Sequence, residues 1–152
     1  MLIHRYDLPH RFVAGTVGAP GERSFFLQAR EGNRLTTVSL EKEQVAVLAD
    51  RLDALLAEAL DDDESSEADP VAEDTAPLDQ PIEEEFQVGV MTLAWEGSDS
   101  AVVIEAFAAT EDEEAEASDV LVVQLTAPAA RGFAERARSV VSAGRAQCQF
   151  CG

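Results

Sequence analysis

The chain has 152 residues, which is the size of one domain or of two very small ones. Its 30 Asp and Glu residues outnumber 11 Lys and Arg residues, and the formal net charge of −19 argues against binding to nucleic acid or anionic lipid. Hydrophobic residues make up 46% of the chain, so it can form a core and is not a disordered acidic tail.

The first repeat, residues 1–60, predicts three strands followed by a helix. Turn-forming residues separate the strands, which are expected over residues 11–17, 24–29 and 34–40. A helix is expected from about Leu40 to Leu60, because apolar residues recur there at helical spacing. Ser39 is the expected N-cap of this helix.

Two acidic runs carry most of the negative charge. Residues 61–85 hold twelve carboxylates and no Lys or Arg, so we expect a disordered linker that cannot offset its ordering entropy. Residues 111–119 hold six more carboxylates and are expected to form an enlarged hairpin loop. The rest of the chain is nearly neutral, with 12 acidic and 11 basic residues, so net charge excludes nucleic acid less firmly than it first suggests.

The second repeat, residues 86–145, predicts the same order of elements. Its strands are expected over residues 86–96, 101–108 and 120–125. Thr126 can cap the following helix, which has Pro128 in its first turn and ends near Gly144.

An internal duplication explains the repeated order of elements. At a constant offset of 85 residues the apolar face of the first helix aligns with that of the second, Val45, Leu48, Leu52, Leu55 and Leu56 matching Ala130, Phe133, Ala137, Val140 and Val141. The expected fold is therefore α+β, with two βββα units related by pseudo-two-fold symmetry and packed into one body.

The C-x-x-C pair Cys148 and Cys151 is the sharpest local motif, in the segment 146–152. A zinc knuckle, a thiol–disulfide redox pair and two inert thiols are all compatible with it. A structural zinc site needs four ligands, and the chain has two cysteines. His4 and His10 are distant in sequence, and we interpret both as solvated surface residues.

Arginines make the first sheet comparatively basic. Arg11, Arg23 and Arg30 are candidate contacts for a phosphorylated ligand or an acidic partner, although they can equally pair with the protein's own acidic loops. The sequence contains no recognisable combination of nucleophile, base and orienting group, so no catalytic residue is predicted.

Three stretches of the first repeat carry a family resemblance, RFVAGTVG at residues 11–18, GERSFFLQAR at 21–30 and VSLEKEQV at 38–45. With the second-half strands and the closing C-x-x-C-G, they resemble a family of uncharacterised proteins, a domain of unknown function, from high-GC Gram-positive bacteria. Members of that family continue past this motif with a tail containing His and a third Cys. The resemblance thus implies a Cys₃His zinc site, of which Cys148 and Cys151 are half in this truncated sequence.

The resemblance also implies partners, because family members are typically encoded beside a lipid-kinase-like protein and a histidine-phosphatase-like protein. We therefore expect a non-enzymatic interaction or scaffold module with a C-terminal zinc knuckle. The alternatives are an enzyme acting on a phosphorylated or acidic small molecule in the groove between the repeats, and acidic segments that mimic nucleic acid. Because the sequence shows no signal peptide or membrane span, a cytoplasmic protein is expected, and its exposed sheet edges favour a homodimer.

Overall fold

The computed structural model describes residues 1–18, 21–59, 76–111 and 116–145. These residues form one seven-stranded sheet and two helices, which confirms the predicted α+β class. The helices are α1 (Lys42–Ala59) and α2 (Ala127–Arg145). The strands are β1 (Leu2–Asp7), β2 (Arg11–Val17), β3 (Ser24–Glu31), β4 (Arg34–Leu40), β5 (Glu84–Glu96), β6 (Ala101–Ala108) and β7 (Asp119–Thr126).

The sheet has the strand order β1-β7-β6-β5-β4-β3-β2. Strands β2 to β4 form one antiparallel meander and β5 to β7 form another. The two meanders meet where β4 runs parallel to β5, and β1 lies at the edge, parallel to β7. Strand β1 was not predicted, since most of its residues are at least partly exposed and, within the described residues, it pairs with a strand about 115 residues away.

The arrangement of the two meanders does not confirm the predicted two-fold relation. Because β4 and β5 are parallel, β2 and β5 run in the same direction, as do β3 and β6. Corresponding strands therefore lie three positions apart in one sheet and run in the same direction.

Both helices pack on one face of the sheet and share a single apolar core with both meanders. Phe12 of β2 stacks on Phe133 of α2 with ring centroids 4.6 Å apart, which ties the first meander to the second helix. The predicted cap Ser39 lies within β4 instead. Helix α1 begins after Glu41, whose backbone N–H donates to Gln44 Oε1 at 2.7 Å. Thr126 caps α2 as predicted, because its hydroxyl accepts from Ala129 N–H at 3.2 Å.

The opposite face of the first meander is covered by segment 76–83, the described part of the predicted linker that precedes β5. Leu78 is buried there against Val13 and Phe26. It also lies so close to Gly15 that a Cβ on the glycine would be 2.5 Å from Leu78 Cδ2. A side chain at position 15 would therefore compete with Leu78 for the same space.

The edge strand β1 reaches back to the first meander. Tyr6, which is 2% exposed, shares a 2.7 Å hydrogen bond with the Thr36 hydroxyl of β4. The Arg34 guanidinium lies 4.3 Å above the Tyr6 ring and donates to the backbone carbonyl of Arg5. These contacts mean that the sheet curves until the second half of β1 meets the start of β4.

Candidate functional site

Exposed apolar side chains are concentrated at strand β1. Among the described residues, seven large hydrophobic side chains are exposed, and four of them lie within the first eight residues. We call three of these residues the edge patch: Met1, Leu2 and Ile3, which lie at or next to the start of β1 with 57% to 60% of each exposed. Apolar residues grouped at a sheet edge are a typical feature of protein docking surfaces.

The first half of β1 also offers unpaired backbone groups. Leu2 N–H donates to Ser118 O at 2.8 Å and Leu8 N–H donates to Gln124 O at 2.9 Å, so the even-numbered residues face β7. In a parallel ladder the alternate residues point the other way, and the N–H and C=O of Ile3 therefore face the open side. The Arg5 carbonyl already accepts from Arg34, so the open part of the edge lies before it.

The opposite edge of the sheet, strand β2, is covered. Arg136 of α2 is 8% exposed, and its Nε donates to the Ala14 carbonyl of β2 at 2.7 Å. Its Nη1 donates to the Ala76 carbonyl at 2.7 Å, which holds segment 76–83 beside the same strand. Natural sheets block their edges in this way to prevent unwanted strand pairing, so the open edge of β1 contrasts with the protected edge of β2.

Three potential metal ligands meet beside the edge patch. His4 of β1, Glu85 of β5 and Asp119 of β7 place one ligand atom each within 4.8 Å of one another. His4 Nε2 lies 2.9 Å from Asp119 Oδ2, and these side chains are 16% and 20% exposed. The pKa of Asp119 is lowered, mainly by its hydrogen bond with the His4 side chain and next by its hydrogen bond with the Ser118 side chain. The expectation that His4 is a solvated surface residue is therefore wrong.

The surroundings of the edge patch are acidic. The run 111–119 leads directly into β7, the neighbour of β1, and Ser118 in that run accepts a hydrogen bond from Leu2. Glu116, which belongs to that run, and Glu85 of β5 are both exposed. A partner that docks here would therefore meet apolar side chains bordered by negative charge.

Two of the predicted contact arginines bind an acidic residue of the same chain. Arg11 Nη1 and Arg30 Nη1 donate to the two carboxylate oxygens of Asp79, each at 3.1 Å. Arg11 also donates to the carbonyls of Ala76 and Pro77, so these arginines hold segment 76–83 on the sheet. This pairing matches the alternative in which the basic face binds the protein's own acidic segments.

The third predicted contact, Arg23, lies apart from the other two. It lines a polar pocket of about 240 Å³ with Ser24, Ser39, Glu41 and Gln87. Its Nε is buried and makes no hydrogen bond with any part of the chain that the structure describes. Carboxylates and hydroxyls share the pocket with this guanidinium, so its lining does not select one sign of ligand charge.

A cleft of about 200 Å³ lies between β2 and α2, where the first half of the chain meets the second. Arg11, Arg136 and His10 supply its polar lining, and the stacked Phe12 and Phe133 form its apolar wall. His10 is held by Glu31 at 3.1 Å and accepts from Gly32 N–H through Nδ1. His10 and His4 thus lie in separate contacts with different acidic partners.

The predicted zinc ligands Cys148 and Cys151 lie outside the described residues. Helices α1 and α2, the two helices of the described ranges, lack the length and hydropathy that crossing a membrane requires. Neither the edge patch nor the cluster of His4, Glu85 and Asp119 was predicted, because each depends on β1. Alternation of the inward residues His4 and Tyr6 was the only local signal for that strand.

Comparison with known proteins adds a family assignment. The family model described as "Protein of unknown function (DUF3090)" matches residues 4–152, which is nearly the whole chain. No curated protein and no solved structure gives a significant match. The match agrees with the resemblance seen in the sequence as far as a domain of unknown function, and it assigns no activity.

Proposed function

We propose that this chain, which belongs to the DUF3090 family of proteins of unknown function, is a non-enzymatic protein-interaction module that docks a partner on strand β1. The observation that carries the proposal is the edge patch at the start of a strand whose outer backbone groups are open at Ile3. An extended partner segment can add a strand there, with backbone hydrogen bonds supplying affinity and side chains supplying specificity.

The partner on this edge is an extended apolar segment flanked by basic residues. Apolar side chains match Leu2 and Ile3, while Lys or Arg flanks match Glu85, Glu116 and Asp119. Opposite charges around an apolar contact accelerate association and disfavour other partners. A second copy of this acidic chain would bring like charges together, so a heterologous partner fits the surface better than a homodimer does.

The candidate partners are the lipid-kinase-like and histidine-phosphatase-like proteins implied by the resemblance. In the test, the chain is co-expressed with each of them in the cytoplasm, which is the location that we propose for it. Ile3→Lys is expected to abolish co-purification. Val90→Lys in β5 is the matched control and should leave co-purification unchanged, because Val90 is 67% exposed and Ile3 is 60% exposed. Reproducible failure of both partners to co-purify with the unsubstituted chain would overturn this assignment of partners.

We further propose a zinc knuckle at Cys148 and Cys151 that adds a second contact for the partner. Its support is the C-x-x-C-G spacing, in which a turn lets both thiolates reach one ion. Adding the family's tail should raise the zinc content by about one ion per chain, and Cys148→Ser should remove that added ion. A chain with the tail that binds no zinc would overturn the knuckle.

A duplication of one βββα unit is the proposed origin of the scaffold. Its support is the repeated element order, the equal direction of corresponding strands and the shared face on which α1 and α2 pack. The two units are related by a pseudo-two-fold axis under this proposal, which the reciprocal contacts of α1 with β5 and of α2 with β2 support. A three-stranded meander is too small to bury its own helix well, so we expect the two units to form one body.

An enzyme with a site between the halves is the second candidate function. The cleft lined by His10, Arg11 and Arg136 favours it, since guanidinium groups recognise phosphorylated or acidic small molecules. Both arginines already hold segment 76–83, which weighs towards a structural role for them. Saturable stabilisation of the chain by inorganic phosphate, lost in His10→Gln, would favour this candidate over the docking module.

A further inference from the structure

We infer that His4, Glu85 and Asp119 form a binding site for one divalent transition-metal ion. The site differs from the zinc knuckle proposed at the cysteines, and it does not depend on docking at the edge patch. Three strands supply the ligands, from β1, the start of β5 and the first residue of β7. The sheet therefore fixes the relative positions of the three side chains through its backbone.

The distances fit a small tetrahedral ion after modest side-chain movement. Ligand atoms about 2.0–2.2 Å from a tetrahedral ion lie about 3.4 Å from each other. His4 Nε2 and Asp119 Oδ2 are 2.9 Å apart, and Glu85 places its nearest oxygen within 4.8 Å of both. Glu85 is exposed and free to rotate inwards, and the metal would replace the hydrogen between His4 and Asp119.

The immediate surroundings favour occupancy of this site. His4 and Asp119 are 16% and 20% exposed, so their attraction for a cation is less screened by water than that of surface carboxylates. The Phe86 ring lies 6.1 Å from the His4 ring and limits the directions from which the imidazole can be reached. The two carboxylates carry two negative charges, which a divalent ion balances.

The ligand set selects the class of ion. Imidazole nitrogen suits Zn²⁺ and its transition-metal neighbours, whereas Mg²⁺ and Ca²⁺ prefer sites made entirely of oxygen. Three protein ligands leave a fourth tetrahedral position for water, the arrangement typical of open rather than structural zinc sites. The site should therefore prefer Zn²⁺ to Mg²⁺ and keep one exchangeable ligand.

The test is calorimetric titration of Zn²⁺ into the full chain carrying Cys148→Ser and Cys151→Ser, so that thiolates contribute nothing. We expect one Zn²⁺ per chain, and at least a tenfold loss of affinity in His4→Gln, whose amide can still donate to Asp119. His10→Gln is the matched control, because His10 also pairs with a carboxylate, Glu31, but lies outside the cluster. Its affinity for Zn²⁺ should be unchanged.

A second variant keeps the inference testable if His4→Gln does not fold. Glu85 is exposed, so Glu85→Gln should fold normally and still weaken Zn²⁺ binding at least threefold, while Glu83→Gln should not. Failure to saturate with Zn²⁺, equal affinity in the unsubstituted and His4→Gln chains, or Mg²⁺ binding as tight as Zn²⁺ would each overturn the inference. The docking proposal would stand in every one of these cases.

Discussion

Arg11 of β2 donates to the carboxylate of Asp79, 68 residues further along the chain, at a distance of 3.1 Å. The Arg11 side chain is 9% exposed, so this ion pair lies largely out of water. It attaches segment 76–83 to the outer face of the first meander and brings the chain to the start of β5. The pair therefore holds the described segment before β5 against the first meander.

Asp79→Asn is expected to destabilise the fold by about 1–3 kcal/mol, because a buried guanidinium loses its charged acceptor. Asp7→Asn is the matched control, since its pair with Arg5 is about half exposed on both sides and should be worth less than about 1 kcal/mol. The free energy of unfolding in urea measures both. Equal effects of the two substitutions would show that Asp79 has no special role.

Gly15→Ala should destabilise the protein by about 1–3 kcal/mol, because the new methyl group would occupy the space of Leu78. Leu78→Ala alone should cost about 2–5 kcal/mol through the cavity that it leaves. In the double variant the methyl group partly fills that cavity, so the cost should be less than the sum. Thermal unfolding of the three variants measures these costs, and Gly97→Ala is the control at an uncrowded glycine. If the contact between Gly15 and Leu78 were unimportant, the destabilisation of the double variant would equal the sum of the two single effects.

Tyr6→Phe should destabilise the fold by about 1–2 kcal/mol, because the buried Thr36 hydroxyl loses its 2.7 Å partner. Thr36→Val in the Tyr6→Phe background should then cost little more, since both ends of the hydrogen bond are gone. A double-mutant cycle in urea measures this coupling between β1 and β4. A coupling energy of zero would contradict the contact that closes β1 onto the first meander.

Local sequence signals predicted the strands whose apolar residues alternate and whose ends carry turn residues. Strands β2, β4 and β6 begin and end at the predicted residues. The Ser39 cap was wrong because β4 continues to Leu40, where pairing with Phe25 of β3 takes precedence over local capping preference. Short-range patterns therefore identified the two meanders and their helices but not the details of every boundary.

The site was less predictable because it depends on long-range pairing. Strand β1 has one fully buried side chain, Tyr6, so it carries almost no apolar periodicity. Its ladder with β7 is what brings His4 to Asp119, and no local pattern encodes that contact. Asp79 lies in the same way within an acidic run whose composition resembles a linker, although arginines of β2 and β3 bind it.

The most direct test of docking on β1 is the affinity of the Ile3→Pro variant for a partner that co-purifies with the chain. The Ile3 N–H faces away from β7, so proline removes a donor for an added strand without removing a bond of the sheet. Isothermal titration calorimetry should give a dissociation constant at least tenfold higher for Ile3→Pro, with Val90→Lys unchanged and both variants folded by circular dichroism. Wild-type affinity in a folded Ile3→Pro variant would contradict docking by strand addition on β1.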